Sequence, residues 1–123
     1  MQLGNFSVSL AVKNLDESKS FYTKLGFLPV FGDETQGWLV LSNENCKIGL
    51  FQNMFDENML TFNPGWNSSG EKLSEFEDIR ALQQKMKEQG MALLSEADAS
   101  TNGPASLMIK DPDGNLILID QHV

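Results

Sequence analysis

Hydrophobic and polar residues alternate strictly near the start of the chain. The alternation over residues 6–12 predicts a β-strand with two different faces. One face is expected to pack against the core and carries Phe6, Val8, Leu10 and Val12. The other carries small side chains, Ser7, Ser9 and Ala11.

The period then changes to that of a helix. Asn14 is a good N-cap residue, and Gly26 stands where a helix C-terminus favours a left-handed residue. Between them, a core-facing stripe is predicted from Leu15, Ser18, Phe21, Tyr22 and Leu25. Three short strands are predicted next, over residues 27–32, 37–42 and 46–52, separated by turn-forming segments.

The second half repeats this order of elements. A strand is predicted around residues 59–63, followed by a loop rich in Pro, Gly and Ser over 64–73. Ser74 with Glu77 fits a capping box, and a helical stripe runs on to Gly90. Strands are predicted over 91–96, 105–110 and 116–120. The chain is therefore predicted to form βαβββ twice, with the halves meeting around residues 53–58.

Composition limits the function. The chain has 123 residues and a formal net charge of −8, which suits one domain. Nine basic residues, of which Arg80 is the only arginine, make a nucleic-acid surface improbable. A single cysteine, Cys46, fits a reducing compartment. With neither a signal peptide nor an apolar run long enough to span a membrane, a cytoplasmic protein is expected.

Two segments resemble a known family. The opening FSVSLAVKNLDESKSFYTKLGF and the closing DPDGNLILIDQ are similar to the vicinal oxygen chelate superfamily, which includes glyoxalase I, extradiol dioxygenases and bleomycin-resistance proteins. The resemblance implies an α+β fold in which two βαβββ modules, about 5–52 and 58–121, form a cup-shaped mixed sheet within one domain over 1–123. It also implies a homodimer, since relatives of this length are usually dimeric.

The same resemblance implies where a divalent metal would bind. Relatives hold the ion with histidine and carboxylate or amide side chains on four strands, and here those positions are Ser7, Gly49, Met59 and Leu118. These residues do not suit a hard cation. Asp120 and His122 could reach a displaced ion, but a solvated C-terminal end is the favoured explanation of the pair, since further donors are scarce.

Strand alternation predicts what the cup contains instead of a metal. The expected ligand-binding residues are Ser7, Ser9, Phe51, Thr61, Asn63, Trp66 and Asp120. The alternative is a minor core closed by Met59, Leu116 and Leu118. Trp66, in a Pro-Gly loop, is expected either to contact a ligand as a lid or to cover the helix.

Other chemistry-bearing residues have simpler interpretations. Cys46 is expected to be an inert thiol, and Arg80 to pair with Glu75 or Glu77 at the surface. The segment 111–115 predicts a turn and lacks the later glutamate of a calcium loop.

Three functions follow as hypotheses. The favoured one is a metal-independent small-molecule-binding protein, of the kind that includes the drug-sequestering bleomycin-resistance proteins. The second is a metal-dependent lyase or dioxygenase with displaced ligands such as Asp120 and His122. The third is a dimeric interaction module that binds no ligand.

Overall fold

A computed structural model describes residues 1–123 and has seven strands and two α-helices. The strands are β1 (Asn5–Val12), β2 (Leu28–Asp33), β3 (Trp38–Asn43), β4 (Cys46–Gln52), β5 (Met59–Asn63), β6 (Ala105–Lys110) and β7 (Leu116–Gln121), and the helices are α1 (Leu15–Lys24) and α2 (Ile79–Glu88). A 3₁₀ turn covers Glu34–Gln36. The predicted α+β class is confirmed. Neither α-helix is long and apolar enough to cross a lipid bilayer.

The chain divides into two compact units, which are described separately. The first unit is Ser7–Met59, and the second unit combines Met1–Phe6 with Leu60–Val123.

In the first unit the strands follow the order β2-β3-β4-β1. Strand β4 runs parallel to β1 and antiparallel to β3, which in turn pairs antiparallel with β2. The core lies on the side that α1 covers, where Leu15 meets Leu39, Leu41 and Leu50. Because side chains alternate across a strand, the residues between these leucines point to the face opposite α1.

Helix α1 buries a narrower stripe than the sequence predicted. Leu15 is buried, and Tyr22 packs on the same core, but Phe21 and Leu25 are each 58% exposed. Leu15 and Tyr22 are seven positions apart and so share one line along the helix, whereas Phe21 lies about 120° around from Leu15. The prediction that Phe21 and Leu25 face the core is therefore wrong.

In the second unit the strands follow the order β5-β7-β6. Helix α2 covers one face, where Ile79, Leu82 and Met86 pack against Leu107 and Ile119. Phe6 was predicted to pack into a core, but it is 45% exposed. Its ring contacts Phe62, with the ring centroids 5.0 Å apart.

Helix α2 begins at Ile79, so the prediction of Ser74 as its N-cap is wrong. Asp78 is the cap, and its carboxylate accepts a hydrogen bond from the backbone N–H of Arg80 at 2.9 Å. The amide of Gln121 fixes this start, since its Oε1 accepts from the N–H of Ile79 at 2.7 Å and its Nε2 donates to Asp78. Hydrogen bonds from Gln121, at the end of β7, therefore stabilise the start of α2 at Ile79.

The strand predicted over 91–96 is also absent. A single antiparallel bridge joins Ser95 to Met108. Just beyond it, the side chain of Gln83 satisfies both backbone groups of Ala97, accepting from its N–H at 2.7 Å and donating to its carbonyl at 3.0 Å. This side-chain amide on α2 satisfies backbone groups that a longer strand pairing would otherwise satisfy.

Candidate functional site

A row of aromatic rings lies in the first unit. The ring of Phe31 packs edge-on against Trp38 at 5.3 Å, Trp38 lies parallel to Phe51 at 6.1 Å, and Phe51 contacts Phe55 at 5.2 Å, all between ring centroids. Trp38 and Phe51 are paired directly across β3 and β4, so their side chains share the face opposite α1. This aromatic row offers apolar ring surface of the kind that small-molecule sites use.

Phe51 also fills the space beside Gly49, two positions earlier on the same strand face. A β-carbon at position 49 would lie 2.5 Å from Cε2 of Phe51, closer than real carbon contacts come. Position 49 therefore has no room for the carboxylate or amide that the family resemblance would place there.

The metal that relatives hold does not fit the remaining positions either. Met59 offers only a buried thioether and Leu118 no donor atom at all. Of the four positions, only Ser7 carries an oxygen ligand on its side chain. Nowhere in the chain do three or more His, Cys, Asp or Glu residues come together in a group that could hold a metal ion.

The predicted polar site residues of β1 and β5 are enclosed rather than exposed. Ser9 is 4% exposed and Thr61 and Asn63 are each 6% exposed, while Ser7 is half-buried. Buried polar groups need hydrogen-bonding partners, and Asn63 finds them in its own unit.

One such network in the second unit links three residues. Asn63 Nδ2 donates to the backbone carbonyl of Asp120 at 2.8 Å, and Asn63 Oδ1 accepts from Nδ2 of Asn5 at 3.1 Å. The structure thus brings the predicted residues Asn63 and Asp120 together. It adds Asn5, which is 6% exposed and which the sequence analysis missed. The strand was predicted to begin at Phe6, although Asn5 extends the alternation of Ser7 and Ser9 by one step.

Trp66, His122 and Asp120 form a second group in the same unit. The indole of Trp66 and the imidazole of His122 are parallel, with centroids 4.7 Å apart, and His122 Nε2 lies 3.2 Å from Asp120 Oδ2. The hydrogen bond to Asp120 raises the pKa of His122 above its ordinary value of 6.5, against the opposing effect of burial. The pair predicted as a displaced metal site is therefore in contact, but the carboxylate and imidazole bind each other.

Arg80 has a different role from the one predicted. It pairs with Asp78, not with Glu75 or Glu77, at 3.1 Å between Nη1 and Oδ1. Its guanidinium also donates to the backbone carbonyls of Asp98 and Gly103 and to the hydroxyl of Thr101. The side chain is only 12% exposed, because the segment 98–103 wraps around it. Arg80 is a structural residue, with nearly all its donors satisfied by the protein.

A family model describes most of the chain. The model of the Glyoxalase/Bleomycin resistance protein/Dioxygenase superfamily matches residues 6–119. No curated protein sequence matches the chain.

Solved structures share the fold at low sequence identity. A member of the glyoxalase/bleomycin resistance protein/dioxygenase superfamily from Vibrio splendidus 12B01 is 18% identical with a TM-score of 0.65, over 95% of this chain and 97% of that chain. A single-site variant of methylmalonyl-CoA epimerase from Streptomyces coelicolor, in complex with 2-nitronate-propionyl-CoA, is 14% identical with a TM-score of 0.62, over 99% and 96%. The Mn(II)-bound glyoxalase from Novosphingobium aromaticivorans is 20% identical with a TM-score of 0.59, over 99% of this chain but 40% of that chain.

Proposed function

The chain belongs to the Glyoxalase/Bleomycin resistance protein/Dioxygenase superfamily, and we propose that within it this protein binds a small molecule without a metal ion at the usual position. The observation that carries the proposal is the aromatic row of Phe31, Trp38, Phe51 and Phe55 on and beside the sheet face opposite α1. We infer that the ligand has a flat apolar part that packs against these rings.

The energetics of ring contacts support this choice. An aromatic pair contributes about 0.5–1.5 kcal/mol beyond the area it buries. Phe31 leaves 57% of its surface exposed, so a ligand ring can reach it without rearrangement of the core. The net charge of −8 adds a modest preference for cationic ligands, such as bleomycin.

Metal independence rests on the chemistry of the four aligned positions. Catalysis by a Lewis acid needs several good donors that converge on one ion. Gly49 has no side chain, and the Phe51 ring occupies the space that one would need. Without such donors, binding is the function that the remaining side chains support best.

Fluorescence titration tests the binding proposal. We expect bleomycin and phenethylammonium to change the tryptophan emission. Phe31→Ala should weaken the binding of both compounds about tenfold. Phe21→Ala is the matched control, because Phe21 is 58% exposed on α1 and lies outside the aromatic row. Failure of both compounds to bind at about 1 mM would overturn the proposal; failure of bleomycin alone would remove the drug-binding subtype.

Metal analysis separates this proposal from the metal-dependent alternative. Elemental analysis of protein purified from cells without a histidine tag should find no stoichiometric nickel, zinc, iron or manganese. A full equivalent of any of them would favour a lyase or dioxygenase with displaced ligands.

We also propose a homodimer, with the apolar surface of the first unit as its support. Outside the aromatic row, Phe21, Leu25, Leu28 and Val30 are each 57–64% exposed. Exposed apolar side chains in such number are typical of interaction surfaces. Light scattering after size exclusion should give twice the mass of 13.7 kDa, and Leu28→Lys should shift the protein toward the monomer. A wild-type monomer would contradict this proposal without affecting ligand binding.

A further inference from the structure

The segment 98–103 of the second unit contains an asparagine that is followed directly by a glycine. Asn102 and Gly103 form the only Asn–Gly pair in the chain. Such a pair is chemically labile, because glycine has no side chain to hinder the approach of its backbone nitrogen to the asparagine amide. A fold can still prevent the reaction by holding the asparagine side chain in hydrogen bonds. The environment of Asn102 therefore decides its reactivity.

Asn102 lacks the hydrogen bonds that hold the two other loop asparagines of this unit. The side-chain oxygen of Asn67 accepts from two backbone N–H groups of the turn that follows it, at 2.9 and 3.0 Å. The side-chain amide of Asn115 donates to the carboxylate of Asp111 at 2.7 Å. Asn102 is exposed, and neither its side chain nor the backbone N–H of Gly103 has a hydrogen-bonding partner within the chain. Both reacting groups are therefore free of contacts that would keep them apart.

We propose that Asn102 is a site of spontaneous deamidation, and that its isoaspartyl product releases segment 98–103 from Arg80. The backbone nitrogen of Gly103 gives its proton to the solvent and attacks Cγ of Asn102. The bond from Cγ to the side-chain nitrogen then breaks, and that nitrogen takes up a proton and leaves as ammonia. Water opens the resulting succinimide ring at either of its carbonyls, which gives aspartate or isoaspartate. Water is the only other reactant, and nothing is oxidised or reduced.

Arg80 binds the residues on both sides of Asn102. Its Nη2 donates to the hydroxyl of Thr101 at 2.9 Å, and its Nη1 donates to the carbonyl of Gly103 at 3.1 Å. In isoaspartate the main chain passes through the former side chain, which adds one methylene group between these two contacts. The guanidinium is planar and its donors have fixed positions, so it fits the ordinary spacing and not the longer one. The isoaspartyl form therefore loses at least one of the two hydrogen bonds, whereas the aspartyl form keeps both.

Mass spectrometry of the folded protein tests the site of modification. During incubation of the wild-type protein in mildly alkaline buffer, the peptide that contains Asn102 should gain the mass difference between an amide and a carboxylic acid. Chromatography should resolve that peptide into two products of equal mass. The peptides that contain Asn67 and Asn115 are internal controls and should change much more slowly, and Asn102→Gln should prevent the reaction because its longer side chain must form a larger ring. An unmodified Asn102, or modification of Asn67 at the same rate, would overturn the proposal.

Urea denaturation tests the effect on Arg80. Ion exchange isolates the deamidated protein by its additional negative charge, and this fraction should begin to unfold at a lower urea concentration than freshly purified protein. Asn102→Asp is the matched control, since it carries the same new charge on an unaltered backbone and should unfold with the wild type. If the deamidated fraction unfolds together with Asn102→Asp, the modification site stands and the release from Arg80 is overturned.

Discussion

The ring of Phe51 lies against the α-carbon side of Gly49, so that a β-carbon on Gly49 would come within 2.5 Å of it. Gly49 is the one glycine of the first unit whose backbone does not need a positive φ angle, so close packing alone explains it. Because Phe51 also stacks on Trp38, this small residue holds the aromatic row in place.

We predict that Gly49→Ala lowers the free energy of unfolding by about 1–3 kcal/mol, the usual cost of overpacking a closely packed site. Urea denaturation measures the loss. In a Phe51→Ala background the same substitution should cost much less, since the colliding ring is gone. Equal losses in the two backgrounds would show that the ring does not restrict position 49.

The stacked pair of Trp66 and His122 predicts a measurable titration. The hydrogen bond that His122 donates to Asp120 raises the pKa of His122 above 6.5. His122 is the only histidine, so one imidazole signal in the NMR spectrum of untagged protein reports it. Asp120→Asn should bring the pKa back to 6.5 or below, because burial then acts without the carboxylate. A wild-type pKa at or below 6.5 would contradict the observed contact.

The same contact gives stability a pH dependence of known sign. A pKa raised by folding means that the folded state holds its proton more tightly, so the stabilisation is complete below pH 6.5 and is lost as pH rises through the folded-state value. The wild-type protein should therefore exceed Asp120→Asn in stability by more at pH 6 than at pH 8.5. Chemical denaturation at the two pH values measures this difference.

Local patterns in the sequence located all seven strands of the structure. Alternation and turn residues placed β1–β7 within about two residues, because these signals act between near neighbours along the chain. The family resemblance was also confirmed over residues 6–119. Local patterns could not predict structure that depends on a side chain far away in the sequence.

Two examples are the N-cap of α2 at Asp78 and the place of Asn5 in a polar network. Asp78 caps α2 because Gln121, 43 positions later, bonds to it, and no local signal distinguishes it from Ser74. Asn5 is an unfavourable strand residue on propensity alone, and its partner Asn63 lies 58 positions away. Its membership of the polar network depends on tertiary contacts, which override propensity.

Arg80 shows what a buried guanidinium contributes. It ties Asp78 to the carbonyls and hydroxyl of segment 98–103. We predict that Arg80→Met destabilises the fold by about 3 kcal/mol. Arg80→Lys should restore little of this stability, because a single ammonium cannot reproduce the planar set of N–H donors of the guanidinium. Lys85→Met is the control, since its ion pair with Glu77 is largely exposed and should cost less than about 1 kcal/mol. A loss for Arg80→Met no larger than the control would contradict a structural role.

Gln83 allows the sharpest comparison, because a second glutamine follows it directly. Gln83 is 4% exposed and satisfies both backbone groups of Ala97, whereas Gln84 is exposed and donates a hydrogen bond to Glu88 on its own helix. Gln83→Leu leaves a buried N–H and a buried carbonyl unpaired, which should lower the free energy of unfolding by about 2–4 kcal/mol. Gln84→Leu should change the free energy of unfolding by less than about 0.5 kcal/mol.

Hydrogen exchange at the Ala97 amide shows where the effect arises. Exchange should become faster in Gln83→Leu and stay unchanged in Gln84→Leu. Equal exchange in both variants would show that the backbone at Ala97 is protected by something other than Gln83.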